Sequence, residues 1–167
     1  LFADITTNAE GHNEQHQFDA RYGTLTRHKD ANGLLSDSRY DGFGHLLFTR
    51  QPDGTQTRYD YQLCGNSCPA AAVHAYYSVT QTITHPNVSG QLGVQVGAPT
   101  VVSYYDQQNR LVATQTTHDN GNHQWVQTRY DALGRITQQS QPYLTNESIY
   151  WTQFQYDVLD RTLQETR

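Results

Sequence analysis

The 167-residue chain has no Met, one Lys, two Cys and five Pro, and it is short of large apolar side chains, with 13 Leu, 4 Ile, 10 Val and 5 Phe. Each shortage excludes something. Thirty-two such side chains in 167 are too few for a thick hydrophobic core. A pool this small approaches the composition of disordered chains, but those also carry high net charge, and here the charge is only −5. Ten Arg and one Lys, scattered singly, form no basic stripe, so nucleic acid is not an expected partner. No apolar run nears the roughly 20 residues of a spanning helix, so no membrane span is expected. No signal peptide is visible. The complete lack of Met suggests a segment of a longer polypeptide, and a missing targeting signal then says nothing about destination.

Familiar chemical motifs are missing too. The chain has no nucleophile elbow, phosphate-binding loop, dinucleotide fingerprint or kinase signature. His12-Asn13-Glu14-Gln15-His16 has Glu out of place for H-E-x-x-H and lies in a β-prone segment, so it reads as strand or loop surface. The eight His read as surface imidazoles, with His118 and His123 flanking a turn across which they could meet. No catalytic residue, cofactor or metal site is assigned, and the chain is not expected to be an enzyme.

What is abundant is 12 Tyr, 20 Thr and 19 Gln, a β composition with polar faces. The organising stretch is Tyr130-Asp131-Ala132-Leu133-Gly134-Arg135, a turn between two strand-prone runs. Asp131 can bond the backbone two residues on, and Gly134 can take a positive φ. The pattern recurs at Tyr156-Asp157 with Arg161, at Tyr105-Asp106 with Arg110, and at Tyr40-Asp41 with Gly44. A degenerate copy starts at Phe18-Asp19, and Tyr59-Asp60 keeps only the first two positions. Copies starting at 18, 40, 59, 105, 130 and 156 are 22, 19, 46, 25 and 26 residues apart, a period at which repeat architectures come first. Gly44, Asn109, Gly134, Asp160 and Gly23 supply the residue types that best tolerate left-handed backbone. Arg110, Arg135 and Arg161 each lie four residues after an Asp, across the turn, so an Asp–Arg contact is plausible in each copy. An exposed pair adds little, so shape rather than charge is expected to set the motif.

Asn32-Gly33, Asp53-Gly54 and Asp119-Asn120-Gly121 fall between the Tyr-Asp turns, as expected for an antiparallel meander of two strands and two turns per repeat. Strands are expected near 100–105, 110–118, 123–130, 135–141, 149–156 and 161–167. A short strand is expected on Leu1, Ala3 and Ile5, and another on Leu92, Val94 and Val96. Residues 63–98 read as an irregular insertion with a helical turn at 70–74 and a strand at 75–84. Within it Cys64 and Cys68 flank three residues. Three readings stay open: a small-loop disulfide in an exported protein, two reduced thiols, or a zinc site drawing on His74. Asn87-Val88-Ser89 and Asn146-Glu147-Ser148 are formal glycosylation sequons.

The phrases YYDQQNR, RYDALGR and WTQFQYDVLDR, with QPY between, resemble the YD repeats of the Rhs (rearrangement hotspot) family, as in bacterial toxin-complex B/C components, polymorphic toxins and teneurins. The resemblance is strongest over 99–167, weaker over 18–60 and weakest over 63–98. It implies one repeat region over 1–167, with repeats about 15–62 and 99–167, forming a curved all-β segment of a hollow shell. The shell would enclose a toxin domain, so the expected partners are the rest of the parent shell and that cargo, in a secreted or exported bacterial protein. An alternative is a carbohydrate or cell-surface receptor module using aromatic sheet faces, Trp125 and Trp151 among them. The free edges of such a fragment would favour self-association.

Overall fold

The computed structural model describes residues 4–65, 68–86, 92–93, 99–118 and 120–166. Leu1 and Ala3, Val94 and Val96, Asp119 and the sequon at 87–89 lie outside the described residues. The fold is all-β: antiparallel strands follow one another through a single meandering sheet in chain order. No helix among the described residues is long and apolar enough to cross a membrane.

The chain divides into two compact units, Leu1–Tyr59 with Gln81–Ala98, and Asp60–Thr80 with Pro99–Arg167. The first holds β1 (Ile5–Thr7), β2 (Asn13–Phe18), β3 (Leu25–Lys29), β4 (Leu35–Tyr40) and β5 (Leu46–Arg50). It shares β6 (Gln56–Leu63) and β7 (Tyr77–Pro86) with the second, and β8 (Leu92–Gly93) pairs with β7. The second unit adds β9 (Thr100–Tyr105), β10 (Leu111–Thr117), β11 (His123–Tyr130), β12 (Ile136–Ser140), β13 (Tyr143–Leu144), β14 (Trp151–Tyr156) and β15 (Thr162–Thr166). The residues assigned to one insertion divide between the two units.

Eight connections among the described residues share one geometry. They begin at Asn8, Asp30, Asp41, Gln51, Asp106, His118, Asp131 and Asp157. In each, the first residue's N–H donates to the fifth residue's carbonyl, and the fourth residue's N–H donates to the first carbonyl, at 2.8 to 3.2 Å. The fourth residue always has positive φ: Gly in six turns, Asn109 at 63° and Asp160 at 61° in the others. At Asp19 the loop is one residue longer, so Gly23 takes this role one position later. The Asn-Gly and Asp-Gly pairs are thus not isolated two-residue turns. They are the last half of the same four-residue loop, with only the Gly left-handed.

A register shift follows every Tyr-Asp turn. Tyr130 pairs Ile136 while Arg129 pairs Gln138, leaving Thr137 as an extra residue in the return strand. Thr26, Leu47, Val112 and Leu163 are the extra residues in the sister hairpins. Such bulges raise local twist and free a ladder group. The hydroxyls of Thr26 and Thr137 donate to the Gln17 and Arg129 carbonyls beside the bulge. The sequence carries no obvious bulge signal, since an aliphatic or β-branched residue serves equally in the bulged position.

The core belongs to the second unit. Tyr104, Val112, Ala113, Trp125 and Tyr143 are buried together with Cys64 and Ala72. The last two come from the stretch read as an insertion. Cys64 and Cys68 are disulfide-bonded, with Cα atoms 5.0 Å apart. A 3-10 turn at Ala70–Ala72 then lies against β10 and β11, where small side chains permit close approach. The bond leaves neither the pair of reduced thiols nor thiolates for zinc. Burying each large side chain here stabilises by roughly 1.5–3 kcal/mol.

After Ser140, Gln141 and Pro142 interrupt the ladder, and Pro has no N–H to donate. β11 therefore changes partner along its length, pairing β12 at Thr128–Tyr130 and β13 at Gln124–Trp125. The Gln127 N–H at the changeover donates to buried Ser140 Oγ at 2.8 Å. The sequence does not announce this short β13, because QPY looks like linker.

Gly134 has φ 86°, and a Cβ there would meet only Arg110 Nη1 at 3.8 Å, so backbone strain rather than crowding sets the cost of substitution. Gly134→Val should destabilise the protein by about 1–2 kcal/mol, and Gly134→Asn by clearly less, because Asn109 holds the equivalent position. Urea unfolding of the three proteins checks this. Equal stability for Val and Gly would overturn the turn geometry.

Candidate functional site

The residues that repeat are turn carboxylates, each built from its own hairpin. In the turns at Asp41, Asp106, Asp131 and Asp157, Oδ1 accepts the N–H of the residues two and four further on, at 2.8–2.9 Å. Oδ2 is left for a cation. Arg110, Arg135 and Arg161 each donate Nε to it at 2.6–2.7 Å, and His45 Nδ1 takes the same place at 2.8 Å from Asp41. Asp19 instead holds Arg21, inside its longer loop, at 3.0 Å. One carboxylate thus fixes the loop with one oxygen and a cation with the other, so shape and charge act together rather than shape alone.

In the last two copies the Tyr then reaches back to the copy before it. Tyr130 donates its hydroxyl to the Leu111 carbonyl at 2.9 Å, and Tyr156 to the Ile136 carbonyl at 2.8 Å. Leu111 and Ile136 directly follow Arg110 and Arg135. Those guanidiniums lie over the same two rings, Arg110 4.8 Å from the Tyr130 centroid and Arg135 4.9 Å from that of Tyr156. Arg135 also donates Nη1 to Asp160 of the next turn at 2.7 Å. Arg110 and Arg135 therefore each join their own Asp to the following Tyr, and the turns of Asp106, Asp131 and Asp157 form a continuous ladder. Such half-shielded cation–π contacts are worth about 0.5–2 kcal/mol.

In the first unit the ladder is thinner. Tyr40 donates to the Leu25 carbonyl at 3.2 Å, and Tyr22 donates to the Gly42 carbonyl. Its ring lies 3.7 Å from where a Gly44 Cβ would sit. Tyr59 and Asp60 close no turn. They sit inside β6, where the chain passes from one unit to the other, so this partial copy is strand and not motif. Tyr105 begins its turn as expected, stacks on Tyr77 at 5.0 Å between centroids, and Tyr77 donates to Asn109 Oδ1. A cavity of about 510 Å³ opens beside this turn, lined by His74, Tyr76, Asp106, Arg110, Arg129 and Tyr130 among others.

The tryptophans are placed for packing. Trp125 is buried, 5.8 Å from Tyr104 between ring centroids, and the Arg129 guanidinium covers a face of Trp151 at 4.3 Å. His123 meets Thr117 across its hairpin, with Nδ1 3.1 Å from Oγ1, and not His118, which is the first residue of the loop. Sequence reading missed one cluster: Glu14 and His16 on β2 with His28 on β3. The register that pairs His16 with His28 could not be read from spacing alone.

Hydrogen bonds and nearby cations hold these carboxyls below the usual range. At Asp131 and Asp157 the leading cause is the N–H of Arg135 or Arg161, with the guanidinium adding to it. At Asp106 burial opposes the charge, but the Arg110 N–H and guanidinium more than offset it. A folded-state pKa below the unfolded value of about 3.9 adds stability that is full above that value and is lost as pH falls through the folded one. The melting temperature should therefore drop steeply below about pH 4. Asp131→Asn should melt lower at pH 7 and lose less on acidification, because Asn keeps the loop bonds, as Asn8 does, but not the ion pair. Melting curves from pH 2 to 7 decide; parallel profiles would remove the carboxylate from the account. Tyr130→Phe should cost about 0.5–1.5 kcal/mol in urea unfolding through loss of its hydroxyl bond.

No family model matches this chain. No curated protein matches it. Among solved structures, it is similar to a chain in a crystal structure of TcdB2-TccC3, with 14% identity, TM-score 0.42, and coverage of 95% of this chain and 11% of that one. A structure of TcdB2-TccC3-Cdc42 gives 14% identity, TM-score 0.36, and coverage of 96% and 12%. This chain thus spans about a tenth of the length of those it matches, and at these TM-scores neither likeness assigns it a function.

Proposed function

We propose that this chain is a wall segment of an Rhs-type β-shell that encloses a toxin domain and helps deliver it. The observation that carries the reading is the ladder of Asp106, Arg110, Tyr130, Asp131, Arg135, Tyr156 and Asp157. It repeats one set of bonds from hairpin to hairpin, so no position in it is chemically unique. A catalytic site needs a unique constellation, whereas a wall needs each hairpin to template the next. In this reading the chain is not an enzyme. Its partners are neighbouring wall segments and the enclosed domain, within a secreted parent protein.

Burial supports the same reading. No residue of the first unit is fully buried among those described, yet β4 and β5 carry Leu35, Leu47 and Phe48. A two-sided, half-buried sheet suits a wall with protein or solvent on either face. The glycan reading has less to stand on, since Trp125 is buried and Trp151 is covered on one face.

The mass of the natural polypeptide that contains this stretch tests the proposal. The expected result is a mature chain several times 19.0 kDa, with a C-terminal part that resists protease until the shell is denatured. A mature chain near 19.0 kDa would overturn it, because so few strands cannot surround a folded domain.

A further inference from the structure

We infer that Glu14, His16 and His28 form a zinc-binding clamp across β2 and β3. Glu14 and His16 are two apart on one strand, so they share a face, and His16 lies directly opposite His28 in the antiparallel register. One ligand atom from each of the three lies within 4.8 Å of the other two. Glu14 Oε2 is the hub, 3.4 Å from His28 Nε2 and 4.0 Å from His16 Nε2, and the imidazoles stack 4.9 Å apart.

The donor set suits the metal. Zinc takes imidazole and carboxylate at roughly 2.0–2.2 Å, which puts ligand atoms of a tetrahedral site about 3.4 Å apart. The ligand atoms, within 4.8 Å of one another, would close by up to about 1.4 Å to reach that spacing. Three protein ligands leave a fourth position for water, and the half-buried face leaves a path of entry.

Hydrogen bonding alone explains the arrangement poorly: the 3.4 Å contact from Glu14 to His28 is long for a charge-assisted bond, and His16 Nε2 lies 4.0 Å from Glu14 Oε2, beyond hydrogen-bond reach. The clamp sits in the unit with no fully buried residue among those described, where tying two neighbouring strands would add most. Structural zinc contributes directly to folding stability in small domains.

The test uses the whole chain with Zn²⁺ alone, titrated against a chromophoric chelator, with thermal unfolding read in parallel. The expected result is one Zn²⁺ per chain and a higher melting temperature when zinc is present. His28→Ala and Glu14→Gln should each weaken binding at least tenfold and abolish the thermal shift. His12→Ala, on the exposed turn before β2, should leave both unchanged. Circular dichroism of the metal-free variants separates loss of ligand from loss of fold, and Glu14→Gln keeps the side-chain shape if His28→Ala unfolds. No zinc binding by the wild type, or binding that survives Glu14→Gln at full strength, would overturn the clamp. Either result leaves the wall reading untouched.

Discussion

The structure depends on what one carboxylate does at the end of a hairpin. A four-residue loop exposes N–H groups that the sheet cannot satisfy, and a chain with little core has little else to hold the loop shut. The Asp at the loop's first position accepts two of those N–H groups with one oxygen. Its other oxygen remains free and faces the residue that begins the return strand, which is why an Arg there is held by its Nε. The same loop occurs at the opposite ends of the repeats with weaker substitutes. Asn8 and Asp30 serve as Asp131 does, while at Gln51 and His118 a residue two positions later, Asp53 or Asn120, accepts one N–H.

From the Arg onward, local structure becomes packing. Its guanidinium cannot reach both its own Asp and the next Tyr unless consecutive hairpins are in one register, so the ladder specifies register as well as stabilising it. The bulge after each turn belongs to the same device. It slips the return strand by one residue relative to its partner, five times at the same place, and so keeps every copy geometrically equivalent. In the first unit the equivalents are less uniform: His45 replaces Arg, and Arg39 and Arg58 approach the ring of Phe48, at 5.5 and 5.8 Å. The repeat is recognisable there, but the ladder has fewer rungs.

Much of this was legible in the sequence, because it is local. Gly, Asn or Asp at one loop position, an Asp four residues before an Arg, and alternating strands all follow from backbone constraints acting within a hairpin. What was not legible is non-local. Tyr59-Asp60 looks like a motif, but no left-handed residue follows it at the required distance, and the chain runs on as strand. The role of Tyr130 depends on Leu111, 19 residues earlier. The Glu14, His16 and His28 cluster depends on a pairing register that a one-residue slip would destroy. The disulfide was one of three readings of the same spacing, and compartment rather than spacing would have separated them.

The two units meet the same shortage of apolar side chains in different ways. The second recruits the stretch at 63–76 as a cover: Cys64 and Ala72 join Trp125, Tyr104 and Tyr143 in one buried cluster, with the 3-10 turn lying against β10 and β11. Its interruption of the repeat is therefore what gives that unit a core. The first unit has no such cover among the described residues, and its strands stay half-exposed along both faces. Its stability must come from loops, ladder hydrogen bonds and cross-strand pairs, each worth about 1 kcal/mol or less and none reinforced by deep burial. Opening should then be easier in the first unit than in the second, and additional contacts, whether from a cross-strand ion or from a neighbouring sheet, would act where the chain's own packing is thinnest.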